Sequence, residues 1–288
     1  MNDRIGTLQI KSTKNLLSEA TRLCALVYTP PKFGKTKFAS SLDAFTRKYR
    51  GKPTLIIASE VAEGGGTMTL NDLEIDYVMP ANWNEMESLI ASLATNEYYG
   101  GIVLDNVTDY VNRIVKPHAM SFPSKERDSG TRLLGVPVRG DYQVMGESTR
   151  TQLNRLINLT NENTAERFRK DLIVTALQKE VSDDSGTLTG IVPELPGALA
   201  SSVTAMFQSV LSISIKQSIV KQSDGSTKRI STRQLLSTID PMRRTDDRMG
   251  IFKNQNGMSL TTDSGDAIGL VEIYEKWLAT RPQAVVSA

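Results

Sequence analysis

The chain has 288 residues, of which 39% are hydrophobic and 23% are charged, as in an ordinary globular protein with a sizeable core. The formal net charge of +2 excludes a polycation that binds nucleic acid through its overall charge, so any such binding must come from local patches. One cysteine and one histidine exclude a disulfide framework and a zinc cluster. Because the sequence shows neither a signal peptide nor an apolar run of membrane-spanning length, we expect a cytoplasmic protein.

Apolar runs that predict buried strands alternate along the chain with helical patterns. Residues 1–22 form a polar N-terminal segment with a short strand predicted at 7–10. Strands are predicted at 23–28, 53–58, 76–80, 101–105 and 172–176, and helices at 37–49, 82–98, 107–115, around Leu153–Leu159, and at 266–280. This alternation predicts an α/β fold with a mostly parallel central sheet and its ligand site at the carboxyl edge.

The remaining segments predict two long connections and an antiparallel extension. Irregular segments are predicted at 116–140 and 180–197. Residues 207–239 are predicted to form β-strands around the turn Asp224-Gly225, with a hairpin arm at about 216–236. We therefore predict an N-terminal segment (1–22), a core that includes the arm (23–262), and a C-terminal helix and tail (263–288).

The octapeptide Thr-Pro-Pro-Lys-Phe-Gly-Lys-Thr at 29–36 lies between the first buried strand and a helix start, as a phosphate-binding loop does. Backbone N–H groups of the loop would cradle a polyphosphate, Lys35 would reach the β/γ-phosphates, and the Thr36 hydroxyl would ligate Mg²⁺. A Gly-Lys-Ser/Thr triplet alone occurs by chance in roughly one chain in ten of this size. The predicted nucleotide-binding residues are Thr29, Pro30, Pro31, Lys32, Phe33, Gly34, Lys35, Thr36 and Lys37.

Thr29 departs from the pattern G-x-x-x-x-G-K-[ST], whose first position is glycine. Glycine there allows a positive φ without cost, so the threonine puts the tightness of the turn, and the rate of turnover, in question.

Polar side chains follow the predicted strands at the same edge. Asp105 would hold Mg²⁺, or else cap the next turn. Glu60 would position the water that attacks the γ-phosphate; Glu63 is its rival, and a solvated loop acid is the alternative. Gln178 would sense the γ-phosphate, or is simply an exposed amide.

This order of loop, Glu60, Asp105 and Gln178 resembles the RecA-like branch of P-loop ATPases. The octapeptide in outline, Ile191–Gly197 and Asp246–Gly250 resemble the phage nucleotide-binding proteins, a group that includes RecA-like recombinases implicated in single-strand annealing. The resemblance spans about residues 20–255. It implies a RecA-like P-loop NTPase fold, ATP and Mg²⁺ as cofactors, self-association into a ring or filament, and the cytoplasm of a phage-infected bacterium.

The same resemblance implies that the segments 116–140 and 180–197 face single-stranded DNA. Phe122 would stack on a base or else pack locally, and the second segment carries Asp183 and Asp184, which weakens a phosphate contact there. The arm would bind nucleic acid or a neighbouring subunit, or its charges would only discourage edge aggregation. The DNA-binding candidates are Lys125, Arg127, Arg132 and Arg139.

Arg248 lies in the second familial stretch and is our candidate for an arginine finger that reaches the γ-phosphate of a neighbouring subunit. The alternative is a surface ion pair with Asp246 or Asp247.

Three functions are compatible with the sequence. The first is an ATPase that controls binding to single-stranded DNA in phage recombination or replication. The second is a nucleotide-dependent scaffold or loader protein with slow turnover and no direct DNA contact. The third is a small-molecule kinase, against which the lack of an evident Arg-rich lid argues.

Overall fold

The computed structural model describes residues 4–5, 8–9, 22–59, 69–70, 72–122, 136–221, 226–238, 240, 242–252, 255–262 and 266–280. Near the N-terminus, strands β1 (Arg4–Ile5) and β2 (Leu8–Gln9) pair antiparallel, which places a strand within the predicted range 7–10.

The centre of the molecule is a ten-stranded sheet within the described residues. Its strands are β3 (Cys24–Thr29), β4 (Thr54–Ala58), β5 (Asp76–Val78), β6 (Gly101–Asp105), β7 (Asp171–Ser182), β8 (Leu188–Pro193), β9 (Ser209–Lys221), β10 (Thr227–Leu236), β11 (Asp246–Asp247) and β12 (Met258–Ser259). Six of these strands run parallel in the order β9-β3-β7-β6-β4-β5, so β7 lies between β3 and β6. The predicted α/β class with a mostly parallel sheet and an antiparallel extension is confirmed.

Helices cover both faces of this sheet because its strands are apolar on both sides. The helices are α1 (Lys35–Ser40), α2 (Leu42–Arg50), α3 (Trp83–Leu93), α4 (Val107–Tyr110), α5 (Lys116–Ser121), α6 (Arg139–Asn158), α7 (Leu199–Met206) and α8 (Leu270–Thr280), with a π-helical turn at Val111–Val115 and a 3₁₀ turn at Glu166–Phe168. Alternate residues of β3 belong to the cores on opposite faces of the sheet: Leu26 and Tyr28 pack with helices α3 to α7, whereas Ala25 and Val27 pack with α1, α2 and α8.

The prediction of irregular segments at 116–140 and 180–197 is wrong in part. Residues Lys116–Ser121 form helix α5, which continues from α4 through the π turn, and residue Arg139 opens helix α6. Between them, residues 123–135 lie outside the described part of the chain. The segment 180–197 is also not a loop, because β7 continues to Ser182 and β8 returns antiparallel beside it.

Two β-hairpin arms therefore extend beyond the carboxyl edge of the parallel strands. In the described residues β7 pairs with β3 as far as Leu177 and then with β8, which defines a first arm of residues 178–193. Likewise β9 pairs with β3 as far as Ser212 and continues against β10, which defines a second arm of residues 213–236. The turn Asp224-Gly225 predicted for the second arm lies outside the described residues. Both arms flank the end of β3.

Helix α8 packs on the core, because Leu270 and Ile273 belong to the same buried cluster as Leu42 and Phe45 of α2. Among the described residues, no helix combines the length and apolar character needed to cross a bilayer.

Candidate functional site

The loop that joins β3 to α1 has the backbone of an anion-binding turn. Lys32 and Gly34 both adopt positive φ, at 66° and 90°, and Gly34 is immediately followed by the first residue of α1. The Gly34 carbonyl accepts a hydrogen bond from Phe38 N at 2.9 Å, which fixes the first helical turn. Successive N–H groups at such a turn and at a helix start form a concave site for phosphate oxygens.

Thr29 adopts a backbone conformation that does not require glycine. It is the last residue of β3, it is fully buried, and it pairs with Leu177 of β7, so its backbone is extended. The Thr29 hydroxyl donates to the Pro30 carbonyl at 2.9 Å. The left-handed turn comes three residues later, at Lys32. The departure from the glycine pattern therefore leaves the turn itself intact.

Replacing Thr29 by glycine is expected to lower the free energy of unfolding by about 1–2 kcal/mol without raising turnover. The change removes a buried side chain and its hydrogen bond and loosens a strand end. Urea denaturation and steady-state ATPase rates measure the two effects. Thr29→Ala separates loss of the side chain from glycine flexibility, and a Thr29→Gly protein that turns over several times faster would contradict this interpretation.

Asp105 is the centre of a buried polar cluster at the end of β6, where its side chain is 2% exposed. The Thr36 hydroxyl donates to Asp105 Oδ2 at 2.6 Å, and Lys35 Nζ lies 3.9 Å from Oδ1. A hydroxyl and a carboxylate that converge in this way are the oxygen ligands that Mg²⁺ prefers, and a lysine beside them suits a phosphate. The residues present therefore fit a Mg²⁺–nucleotide complex.

Thr175 is a member of this cluster that the sequence analysis missed. It lies on β7, which runs between the strands of the loop and of Asp105, and its hydroxyl donates to Asp105 Oδ1. The only signal in the sequence is a single hydroxyl within the apolar run Leu-Ile-Val-Thr-Ala. Each carboxylate oxygen of Asp105 thus accepts a hydrogen bond from a different threonine, Oδ1 from Thr175 and Oδ2 from Thr36, which fixes the orientation of the carboxylate.

Of the other predicted catalytic residues, Gln178 and Arg248 lie within the described part of the chain, whereas Glu60 does not. Ala58 pairs with Asp105, and Ser59 N donates to the Asp105 carbonyl at 2.9 Å, but Glu60 and Glu63 lie outside the described residues. Gln178 directly follows the Leu177–Thr29 pair at the carboxyl edge, and its Oε1 is buried without a hydrogen-bond partner in the described structure.

Arg248 lies at the opposite edge of the sheet from the phosphate loop of its own chain. It follows β11, which pairs with Ser209 and Val210 at the start of β9. Its side chain is 61% exposed, and its Nε lies 3.4 Å from Asp246 Oδ2, which is the surface ion pair considered as the alternative. A role at the γ-phosphate therefore requires a neighbouring subunit and stays a prediction.

Neither the single cysteine nor the single histidine is placed for catalysis. Burial raises the pKa of the Cys24 thiol to about 12, so the thiol stays protonated. His118 lies in helix α5, not in a loop, and stacks on Trp83 with 4.0 Å between the ring centroids. The Phe122 ring contacts His118 edge to face at 5.0 Å, which favours local packing of Phe122.

A cavity of about 360 Å³ opens beside the phosphate loop. Phe33, Gly34 and Lys37 form one side of it, and Arg233 of the second arm and Ile268 contribute from elsewhere. Its position next to the first turn of α1 suits the part of a nucleotide that lies outside the loop.

A family model described as an AAA domain matches residues 21–258, which is most of the chain. The chain belongs to the AAA domain family. Its members are P-loop ATPases, so the match establishes a nucleotide-binding ATPase domain and, with the sheet described above, the predicted P-loop NTPase fold.

Among solved structures, the flagellar accessory protein FlaH from Methanocaldococcus jannaschii is similar to this AAA domain protein, with 10% sequence identity and a TM-score of 0.37 over 80% of each chain. No curated protein matches the sequence.

Proposed function

We propose that the protein is a Mg²⁺-dependent ATPase of the RecA-like type that uses ATP to control binding to single-stranded DNA in phage recombination or replication. The observation that carries the ATPase part is the cluster of Lys35, Thr36 and Asp105 at the end of a phosphate loop. The DNA part rests on the sequence resemblance and on a groove described below.

The proposed chemistry is in-line attack of water on the γ-phosphate. Bound Mg²⁺ would supply charge neutralisation on the β/γ-phosphate oxygens, and Thr36 and Asp105 are the residues that would hold it. Lys35 would neutralise the same oxygens, and Glu60 would orient the attacking water. Gln178, at the base of the first arm, would respond to the γ-phosphate through its buried, unpartnered Oε1.

A groove of about 690 Å³ supports a site for single-stranded DNA. Both segments that the resemblance assigns to DNA contribute to it. Lys116 belongs to the segment 116–140, Tyr142 lies two residues after that segment, and Pro196 belongs to the segment 180–197. Arg150, which pairs with Glu147, also lines it, and the Tyr142 side chain is 49% exposed. A groove that offers a lysine and an exposed aromatic ring suits contact with the sugar–phosphate backbone and stacking of a base without reading of the sequence. Arg139 opens the helix that carries Tyr142, whereas Lys125, Arg127 and Arg132 lie outside the described residues.

Single-stranded DNA is expected to stimulate ATP hydrolysis severalfold, and Tyr142→Ala is expected to weaken DNA binding about tenfold, because each stacked base contributes about 1–3 kcal/mol. Fluorescence anisotropy with labelled oligothymidylate at several salt concentrations measures the affinity and its salt dependence. The matched control is Tyr98→Ala, which removes another exposed tyrosine, 62% exposed, from the surface after α3. Equal binding by the two variants would contradict this groove as the DNA site.

A scaffold or loader function is the second candidate, and the second arm favours it. Ile219 is 69% exposed there, and Ile215 and Ile230 are each 39% exposed, which is more typical of a protein contact than of a DNA surface. Hydrolysis that DNA does not stimulate, together with no salt-sensitive DNA binding, would leave this function in place of the first.

A further inference from the structure

Arg233 connects the second arm to the phosphate loop. It lies on β10 opposite Ile215 of β9, and its carbonyl accepts a hydrogen bond from Leu260 N at 2.8 Å, which holds the strand at this position. From there its side chain reaches across to Gly34, although the two residues are far apart in the sequence.

The guanidinium of Arg233 lies directly against the loop. A Cβ atom placed on Gly34 would be 3.3 Å from Nη1, 3.5 Å from Cζ and 3.7 Å from Nε of Arg233. Because these three distances are similar, the guanidinium contacts the position of the glycine with several of its atoms and not with one alone. Gly34 thus has two reasons to lack a side chain: its φ of 90° and the room that this guanidinium takes.

The charge of Arg233 is not neutralised within the described part of the chain. The side chain is exposed, and no described carboxylate lies within ion-pair distance of it. Three acids among the described residues line the same cavity, and none of them pairs with Arg233: Asp43 pairs with Arg47 at 2.6 Å, Glu272 accepts from Gly269 N at 2.9 Å, and Glu74 is exposed to solvent. An arginine held beside an anion-binding turn, with no carboxylate of the described residues paired to it, is suited to bind a phosphate oxygen.

We propose that Arg233 binds the phosphate chain of the nucleotide held by the loop of its own chain. This rests on the proposed nucleotide-binding function and adds to it a ligand contact from the second arm. Unlike a finger from a neighbouring subunit, Arg233 is already in place in a single chain. Nucleotide binding would fix Arg233, and with it the base of the arm.

The test is calorimetric binding of Mg²⁺-ADP and of inorganic tripolyphosphate to purified full-length variants. Arg233→Ala is expected to raise both dissociation constants about tenfold, and Arg233→Lys by less, because lysine keeps the charge but loses the planar fork. The matched control is Arg229→Ala, which removes the same charge from the same face of β10, about 13 Å nearer the tip, and is expected to bind as the wild type does. Arg233→Gln replaces the alanine variant if the latter does not fold.

The outcomes separate this inference from the function on which it rests. If the wild type binds neither probe, the proposed nucleotide function fails and the role of Arg233 fails with it. If the wild type binds, Lys35→Ala does not, and Arg233→Ala binds within about twofold of the wild type, only the role of Arg233 is overturned. A tripolyphosphate affinity that stays unchanged while the ADP affinity falls would overturn the contact with phosphate.

A mixing experiment tests whether the contact is made within one chain. Lys35→Ala subunits carry an intact Arg233 but are expected to bind no nucleotide, so an excess of them would offer Arg233 in trans. The proposal expects that they do not restore binding to Arg233→Ala subunits, and restored binding would overturn it.

Discussion

Replacing Lys35 by alanine is expected to raise the dissociation constant for ATP about a hundredfold or more. The ammonium lies at the start of α1, is 9% exposed, and sits 3.9 Å from Asp105 Oδ1. Removing it deletes the cation that would meet the β/γ-phosphates and leaves a carboxylate to repel them. Truncating one partner of a buried, hydrogen-bonded charge pair across a binding interface costs about 2–5 kcal/mol of binding free energy, and each 1.4 kcal/mol is a factor of ten in affinity.

Isothermal titration with a non-hydrolysable Mg²⁺-ATP analogue measures this loss, and circular dichroism checks the fold. The control is Lys48→Ala, which removes the same charge from an exposed ion pair with Glu275 and is expected to bind nucleotide normally. If Lys35→Ala binds as tightly as the Lys48→Ala control, the loop is not the nucleotide site.

Replacing Asp105 by asparagine is expected to lower ATP turnover about a hundredfold while nucleotide still binds without Mg²⁺. The amide keeps the shape and can still accept a hydrogen bond from Thr36, so the fold is maintained. What it loses is the negative charge that would hold Mg²⁺, and groups that stabilise transition-state charge each contribute about 10²–10³ to kcat.

The measurement is the ATPase rate as a function of Mg²⁺ concentration, together with nucleotide affinity in the presence of a chelator. Asp109→Asn is the matched control, because its carboxylate lies four residues further on and accepts from Asn106 Nδ2 at 2.7 Å outside the cluster. Full Mg²⁺-dependent turnover in Asp105→Asn would show that another residue holds the metal.

The phosphate loop and the α/β class could be predicted because both depend on patterns within short stretches of the sequence. A six-residue apolar strand, a Gly-Lys-Thr turn and an amphipathic helix are adjacent at 24–50, and Asp105 ends a short apolar run. Parallel strands then bring such ends to one edge whatever lies between them.

Two elements were missed for identifiable physical reasons. Helix α5 was hidden by Pro117, which disfavours a helix at the residue before it but is accepted in a first turn. The first arm was hidden by Gly186, Gly190 and Pro193, which resemble a loop although they lie at the tip and on the return strand of a hairpin.

Long-range contacts were beyond reach for a different reason. The approach of Arg233 to Gly34 depends on how far β10 is displaced along β9, and the support of Asp105 by Thr175 depends on the position of β7 in the sheet. Neither is fixed by a local pattern. Strand order and register are global properties, and a displacement of one residue would turn Arg233 to the other face.

The course of β7 has a mechanical consequence. The part of β7 from Thr175, beside Asp105, to Ser182, at the outer end of the first arm, is about 23 Å long when extended and contains no intervening loop. The register with β8 is irregular between Val181 and Ser182, next to the tip, so the stiff part of the ribbon includes Gln178. A displacement of the first arm would therefore be transmitted along the backbone of β7 to the carboxylate cluster around Asp105.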